Sequence, residues 1–548
     1  LAAALVGVTV ELTSVAASEA TLGAGASAGG TTVSLTTGID AIVGGAAGDV
    51  VNAAAGTLGT GDTINGGEGS DTLNITATGT APAQTAATLS GVEVVNLTAS
   101  PNPLSISMTG VTGVTDINNL NSANGATVTV SGVGAAVNST LTGGQSATTI
   151  GYTTAVTVAT AVTDAATLTL AGTALGASYT ATGIDQLTVS STTAANTLST
   201  LGVTSAATVT VTGDQALTIG GTVGGSLLTT VNATAFTGTT LTLATGSGTS
   251  AATDIVGVAV TLPTAATVTS TITTSTNIDT ITLGAGNATV VAGAGNDIIT
   301  SGVGTNTLMG GTGNDAITLT GTTDTLRYAE TGAANADTIV GFSSSSVVAV
   351  NLGAAATTAV AAVPDTDFAV LQAGATSPTI GNVDGLGTGT AIVFQAISAT
   401  ATLTSNPVAA GSNVLALNGA FTDGTADGVV RALGTSATTA IAAVAGSKFL
   451  IATYSVGSIA QIWAYNGDDD ADTNIDAAEL QLVATLSGVT QNSLTAANFA
   501  TYLTAGTVTG TVSNAGQTIS VGTPLNLINS VANASGDFLT SANDTITV

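Results

Sequence analysis

The chain of 548 residues contains no cysteine and no histidine. These absences exclude a disulfide, a thiolate nucleophile, an imidazole base and any zinc site built on His or Cys. Basic residues are nearly missing too. Arg327, Arg431 and Lys448 stand against 32 Asp and Glu, for a formal net charge of −29. No basic patch can form, which excludes nucleic acid as a partner. An anionic membrane surface would repel such a chain, whereas divalent cations would relieve its self-repulsion. Aromatics make up 3% of the residues, and the scarcity of Lys and Glu beside abundant Thr and Val argues against long helices. No run of eighteen apolar residues is present. The nearest, Val347 to Val363, is interrupted at Asn351, Gly353, Thr357 and Thr358, so no transmembrane helix is expected. Leu1 to Val6 has no basic flank and does not read as a signal peptide.

What is present is short alternation. Thr127-Val128-Thr129-Val130, Thr167-Leu168-Thr169-Leu170 and Thr208-Val209-Thr210-Val211 place an aliphatic at every second position, the period of a half-buried strand. Ser90 to Thr98 and Leu228 to Ala233 look like variants of one unit. Loosely spaced repetition of such strands predicts a β-solenoid or stacked β-sandwiches.

A sharper period lies in the middle of the chain. Asp279, Ala288, Asp297, Asn306, Asp315 and Asp324 are nine residues apart, and each is followed two residues later by an aliphatic. Glycine-rich turns separate them, including Gly293 and Gly295 before Asn296-Asp297, and Gly311 and Gly313 before Asp315. The segment Gly310 to Thr318 is the full G-G-x-G-x-D-x-U-x nonapeptide of calcium-binding parallel β-rolls, with U aliphatic. Calcium takes six to eight oxygens at roughly 2.3–2.6 Å. Glycines let the turn expose its carbonyls, Asp adds charge, and the aliphatic points inward. Two nonapeptides make a coil, so turns on one edge are eighteen residues apart. Asp279, Asp297 and Asp315 then share a metal-bearing edge, while Ala288, Asn306 and Asp324 share a degenerate one.

A shorter ladder, Asp40, Asp49, Asp62 and Asp71, has steps of nine, thirteen and nine, with Gly66 to Asn74 as its best copy. It predicts a small roll or capping piece with one or two ions. A separate acidic stretch, Asp468, Asp470, Asp472, Asn474, Asp476 and Glu479, has the 1-3-5-7-9-12 spacing of an EF-hand loop. Thr473 replaces the usual glycine, and a strand-like Ile462-Trp463-Ala464-Tyr465 precedes it. A calcium loop bridging a strand to a short helix or strand is expected.

These readings divide the chain into a leading strand and linker (1–36), a short calcium-binding segment (37–74), a Thr/Val-rich β-region (75–276), the main β-roll (277–342) and a C-terminal β-rich domain holding most aromatics (343–548). The fold class is all-β: a β-solenoid or β-sandwich body, a calcium-binding parallel β-roll and a C-terminal β-sandwich. Asp337-Thr338-Ile339-Val340-Gly341-Phe342 closes the roll, with Phe342 capping its open end.

The nonapeptides, the Asp-x-Ile-x-x-Phe exit and the segment 468–489 resemble the repeats-in-toxin family of secreted bacterial proteins. The Thr/Ala/Gly-rich, Cys-free body resembles its surface-layer branch. The resemblance implies several bound Ca2+ ions, an extracellular place on the bacterial cell surface, and self-assembly into a calcium-dependent lattice. Cell-surface polysaccharide is a further possible partner. It also implies type I secretion guided by the C-terminus, with which Asn543 to Val548 is compatible. No cell-anchoring region is recognisable. Zinc proteases of the family need H-E-x-x-H, which a chain without His cannot supply. The acids cluster in metal-like spacings, so no enzyme is expected. A secreted calcium-dependent adhesin or filament subunit is the alternative.

Overall fold

The computed structural model describes mainly residues 30–78, 87–153, 163–245, 256–328, 334–350, 414–433, 448–466 and 475–501, with a few interruptions and some short strands elsewhere. The chain folds as two compact units, Leu1–Asn306 and Thr307–Val548. Nearly every regular element is a strand.

The first unit is a parallel β-solenoid. One wall stacks Val50–Ala53, Thr72–Thr78, Val94–Ser100 and Asp116–Leu120 in parallel register. It continues through Ser139–Thr142, Ala165–Ala171, Gln186–Thr192 and Thr208–Gly213. A second wall stacks Leu104–Ser107, Thr127–Val133, Ala147–Tyr152 and Ser178–Thr182. The short ladder near the start is therefore not a separate roll: Val51, Leu73 and Val95 are register partners in one wall. Residues bonded between neighbouring coils are 18 apart at the central nonapeptides, 22 apart near the start and 29 apart between Asn138 and Thr167.

Alternation explains the walls. In Val94–Ser100 every second residue is buried, and Val95, Leu97 and Ala99 are fully enclosed. A parallel stack places the same side-chain type above itself about every 4.8 Å, so each interior column is a continuous aliphatic file. The outward positions form files of their own. One runs from Thr167 through Thr188, Thr210, Asn232, Thr261 and Thr282 to Thr300. On the other wall Thr218, Thr242, Thr271 and Thr289 are stacked. A β-branched hydroxyl packs on its neighbour and remains hydrated, which suits a wet sheet face.

An asparagine file replaces threonine near the start. Asn74 donates to Asn52, Asn96 to Asn74 and Asn118 to Asn96, each at 2.9 Å. Thr140 N–H closes the file on Asn118 Oδ1 at 2.8 Å.

In the second unit, Ala316–Thr318 pairs with Asp337–Val340, and Thr325–Tyr328 with Val347–Val350, both in parallel. The roll then passes directly into a mixed sheet. Asp337–Val340 pairs in parallel with Leu480–Ser487, which is antiparallel to Ile459–Asn466, itself antiparallel to Lys448–Ser455. The helix Ala426–Leu433 contributes Val429 to a core of Leu415, Leu417, Phe449, Ile451, Trp463, Tyr465 and Leu480. The Phe449 and Tyr465 rings lie 4.7 Å apart and tilted. Phe342 is buried beyond the last roll strand.

Candidate metal centre

Each glycine of the nonapeptide has its own reason. At the Gly66 copy, a Cβ on Gly66 would stand 2.5 Å from Asp71 Oδ2, and one on Gly44 would stand 2.5 Å from Asp49 Oδ2. A Cβ on Gly310 would strike the Asp315 carboxylate. The first glycine is therefore small to admit the carboxylate. The second and third adopt φ between +100° and +141° at Gly67 and Gly69, Gly293 and Gly295, and Gly311 and Gly313, where side chains are strained.

The acids are buried. Asp40, Asp49, Asp62, Asp71, Asp279, Asp297, Asp315 and Asp324 are each no more than 6% exposed. One carboxylate oxygen has the same role in many coils: it accepts the backbone N–H of the acid, or its equivalent, in the coil before. Thr31 N–H donates to Asp49 Oδ1 at 2.6 Å, Asp49 to Asp71 at 2.6 Å, and Asp71 to Glu93 Oε2 at 2.8 Å. Asp40 donates to Asp62 at 2.9 Å. In the central repeats Val258 donates to Asp279 at 2.6 Å and Asp279 to Asp297 at 2.7 Å. In the second unit Asp315 donates to Asp337 at 2.9 Å. The second oxygen faces the glycine turn, where Gly45 N–H reaches Asp49 Oδ2 at 2.7 Å and Gly59 N–H reaches Asp62 Oδ2 at 2.7 Å.

The sequence did not reveal this double use, because it depends on which residues become neighbours across coils of unequal length. Asp337 and Glu93, which continue the column, carry no complete nonapeptide. The only signal for Glu93 was its place in Gly91-Val92-Glu93-Val94, which parallels Gly38-Ile39-Asp40-Ala41.

The degenerate edge has a different chemistry. Asn306 Oδ1 accepts Ala288 N–H at 3.0 Å, as an Asp would. Its amide nitrogen donates to the turn carbonyls of Gly302 at 3.3 Å and Gly304 at 3.0 Å. Two N–H groups thus meet carbonyls that a cation could otherwise take. Asn196 repeats the device, donating to Thr192 O at 3.2 Å and Ala194 O at 2.7 Å. Asn498 does so in the second unit, reaching the carbonyls of Ser343, Ser344 and Ser346 at 3.0–3.4 Å.

Burial also acts on charge. Desolvation first, and then the charges of Asp49 and Glu93, push the Asp71 carboxyl above its ordinary range, against the opposing Asp49 N–H bond. Its Oδ2 is buried with no hydrogen-bond partner. That orphaned oxygen is what a bound cation would satisfy, so the residues present fit calcium. Among the described residues no three Asp or Glu side chains are grouped to hold a metal alone. The remaining ligands must be backbone carbonyls, which the turns supply. Calcium, if bound, would supply positive charge to these buried carboxylates. The chain's own Asp side chains fix the turn, and its glycines admit them.

The sequence model of the RTX calcium-binding nonapeptide repeat (4 copies) matches residues 59–74 and 282–317. The chain carries RTX calcium-binding repeats. That match includes Asp62, Asp71, Gly293, Gly295, Asn296, Asp297, Gly311, Gly313 and Asp315, and lies just beyond Asp279 and short of Asp324. No curated protein was found to match the chain.

Of the acidic stretch, Asp468, Asp470, Asp472 and Asn474 lie outside the described residues. Asp476 and Glu479 follow the strand Ile459–Asn466 and precede Leu480–Ser487. Glu479 Oε2 accepts Asp476 N–H at 3.0 Å, and Asp476 Oδ1 accepts Ala478 N–H at 2.9 Å. The acids at loop positions 9 and 12 thus close a turn between two strands.

Proposed function

We propose that this protein is a structural component of a bacterial surface layer, secreted in an unfolded form and assembled with itself into a calcium-dependent sheet. RTX repeats are typical of secreted proteins and imply calcium binding. Among the described residues no helix is long and apolar enough to cross a membrane, which says nothing of strands.

The observation that supports a lattice is the outer surface of the solenoid. Its threonine files extend coil after coil without a charged residue, as from Thr167 to Thr300. Regular, uncharged, hydrogen-bonding faces suit packing of copy against copy. They offer little to a small-molecule substrate, which needs a concave site with a few placed polar groups. Surface polysaccharide is proposed as the ground to which the layer attaches.

Electron microscopy of the purified full chain with millimolar calcium and with chelator tests the reading. Ordered sheets or tubes in calcium that dissolve in chelator are expected. Dispersed monomers in both conditions, engaging a defined surface ligand, would favour the adhesin instead. Unchanged circular dichroism and assembly in chelator would refute the calcium dependence.

A further inference from the structure

We infer that the carboxylate column continues one coil past the nonapeptide at Gly66–Asn74, and that Glu93 completes a calcium site there with Asp71 and the carbonyl of Gly91. The inference rests on the calcium reading above, but adds Gly91 and Glu93, which lie outside the matched repeats 59–74.

The argument begins with two acceptors in one place. Asp71 is 2% exposed, and its Oδ1 accepts Asp49 N–H. Its Oδ2 is buried and lacks a hydrogen-bond partner. A Cβ on Gly66 would meet both Asp71 Oδ2 and the Gly91 carbonyl oxygen. Two electron-rich oxygens therefore share one face of Gly66. In the preceding coil the corresponding oxygen, Asp49 Oδ2, takes Gly45 N–H. The matching donor here, Gly67 N–H, is turned to Asn65 Oδ1 at 3.2 Å.

Glu93 stands in the next coil at the position of an Asp. Its Oε2 accepts Asp71 N–H, and its carbonyl accepts the N–H groups of Thr115 and Asp116 at 2.9 and 3.0 Å. One carboxylate oxygen, Oε1, remains for a cation. Nor is an ammonium or guanidinium at hand, because residues 1–306 contain no Lys and no Arg. Asp49, Asp71 and Glu93 can be neutralised only by protons or by a cation from solution. Carboxylate and carbonyl oxygens without nitrogen or sulfur ligands select calcium over transition metals.

The test uses the full chain stripped of metal and titrated with calcium. Wild type is compared with Glu93→Gln, Asp71→Asn and, as a control in the central repeats, Asp297→Asn. The Glu93→Gln side chain keeps an amide oxygen as acceptor for Asp71 N–H, so the coil contact survives. Calorimetry and metal analysis after dialysis are expected to find about one ion fewer per chain, or one site weakened about 10–100-fold, in Glu93→Gln and in Asp71→Asn. The Asp297→Asn loss should be separate and additive. If Glu93→Gln and Asp71→Asn match wild type while Asp297→Asn loses an ion, the Glu93 site is refuted and the calcium reading stands. If wild type binds no calcium, both fall. Should the variants fail to fold, crystals of wild type soaked in terbium decide. An anomalous peak bonded to Asp71 Oδ2 and Glu93 supports the site, and its absence there overturns it.

Discussion

At the scale of the residue, one atom separates two kinds of coil. Asp and Asn both accept the N–H of the preceding coil through one oxygen. The second terminus is an oxygen in Asp71 and an N–H2 in Asn306, and only the latter can bond the turn carbonyls by itself. The orphaned oxygen of Asp71 is one a cation would satisfy, whereas Asn306 carries the substitute covalently. The sequence made the Asp positions legible as ligands, since their period and glycines are local. It presented Asn306 merely as a lost ligand, because the partners of its amide are set by the turn's conformation. Asn306→Asp should therefore convert a calcium-independent coil into a dependent one. In chelator its melting temperature should fall below wild type, by the equivalent of about 1–3 kcal/mol for a buried unsatisfied acceptor. Saturating calcium should recover most of the loss, and differential scanning calorimetry in both conditions measures the difference.

Elements were legible where their period was two. The strands Val94–Ser100 and Thr208–Gly213 bury every second residue, as their alternation required. The coil was legible only at the nonapeptides. Elsewhere register partners are from 20 to 31 residues apart, as Thr127 and Ala147 or Ala147 and Ser178, and coils of unequal length erase a fixed period although the strands stay in register. Asn74 and Asn96 illustrate the loss. Each precedes Thr by two residues and matches an N-glycosylation sequon, an expected coincidence in a threonine-rich chain. The structure commits their amides to the asparagine file. Asn96→Ala removes one donated and one accepted bond, and should destabilise the first unit by about 1–3 kcal/mol, read from a shift in the urea midpoint. Peptide mapping should find Asn74 and Asn96 unmodified in the folded protein.

For the whole molecule, the decisive fact is where the three basic residues are. All lie beyond residue 306, so the first unit has no internal counter-charge. Without calcium its stability should depend strongly on ionic strength, because added salt screens repulsion among its acids. In chelator, raising sodium chloride from about 10 to 500 mM should raise the melting temperature by several degrees, whereas the calcium-loaded protein should respond weakly. A similar salt response in both states would mean that bound ions do not carry the neutralisation. Composition announced this dependence, but not the folding of the early acids and the long uncharged stretch into one stack. That continuity required the register of Val51, Leu73 and Val95.

The column of N–H to carboxylate bonds also has a grain. In Thr31, Asp49 and Asp71 the donor always belongs to the earlier coil and the acceptor to the later one. The backbone bonds beside them run the other way, from Thr72 N–H back to the Asp49 carbonyl and from Val94 N–H back to that of Asp71. Each acid therefore ties its own coil to both neighbours: its N–H and carboxylate point opposite ways along the stack, so exchanging one acid disturbs two coil contacts at once.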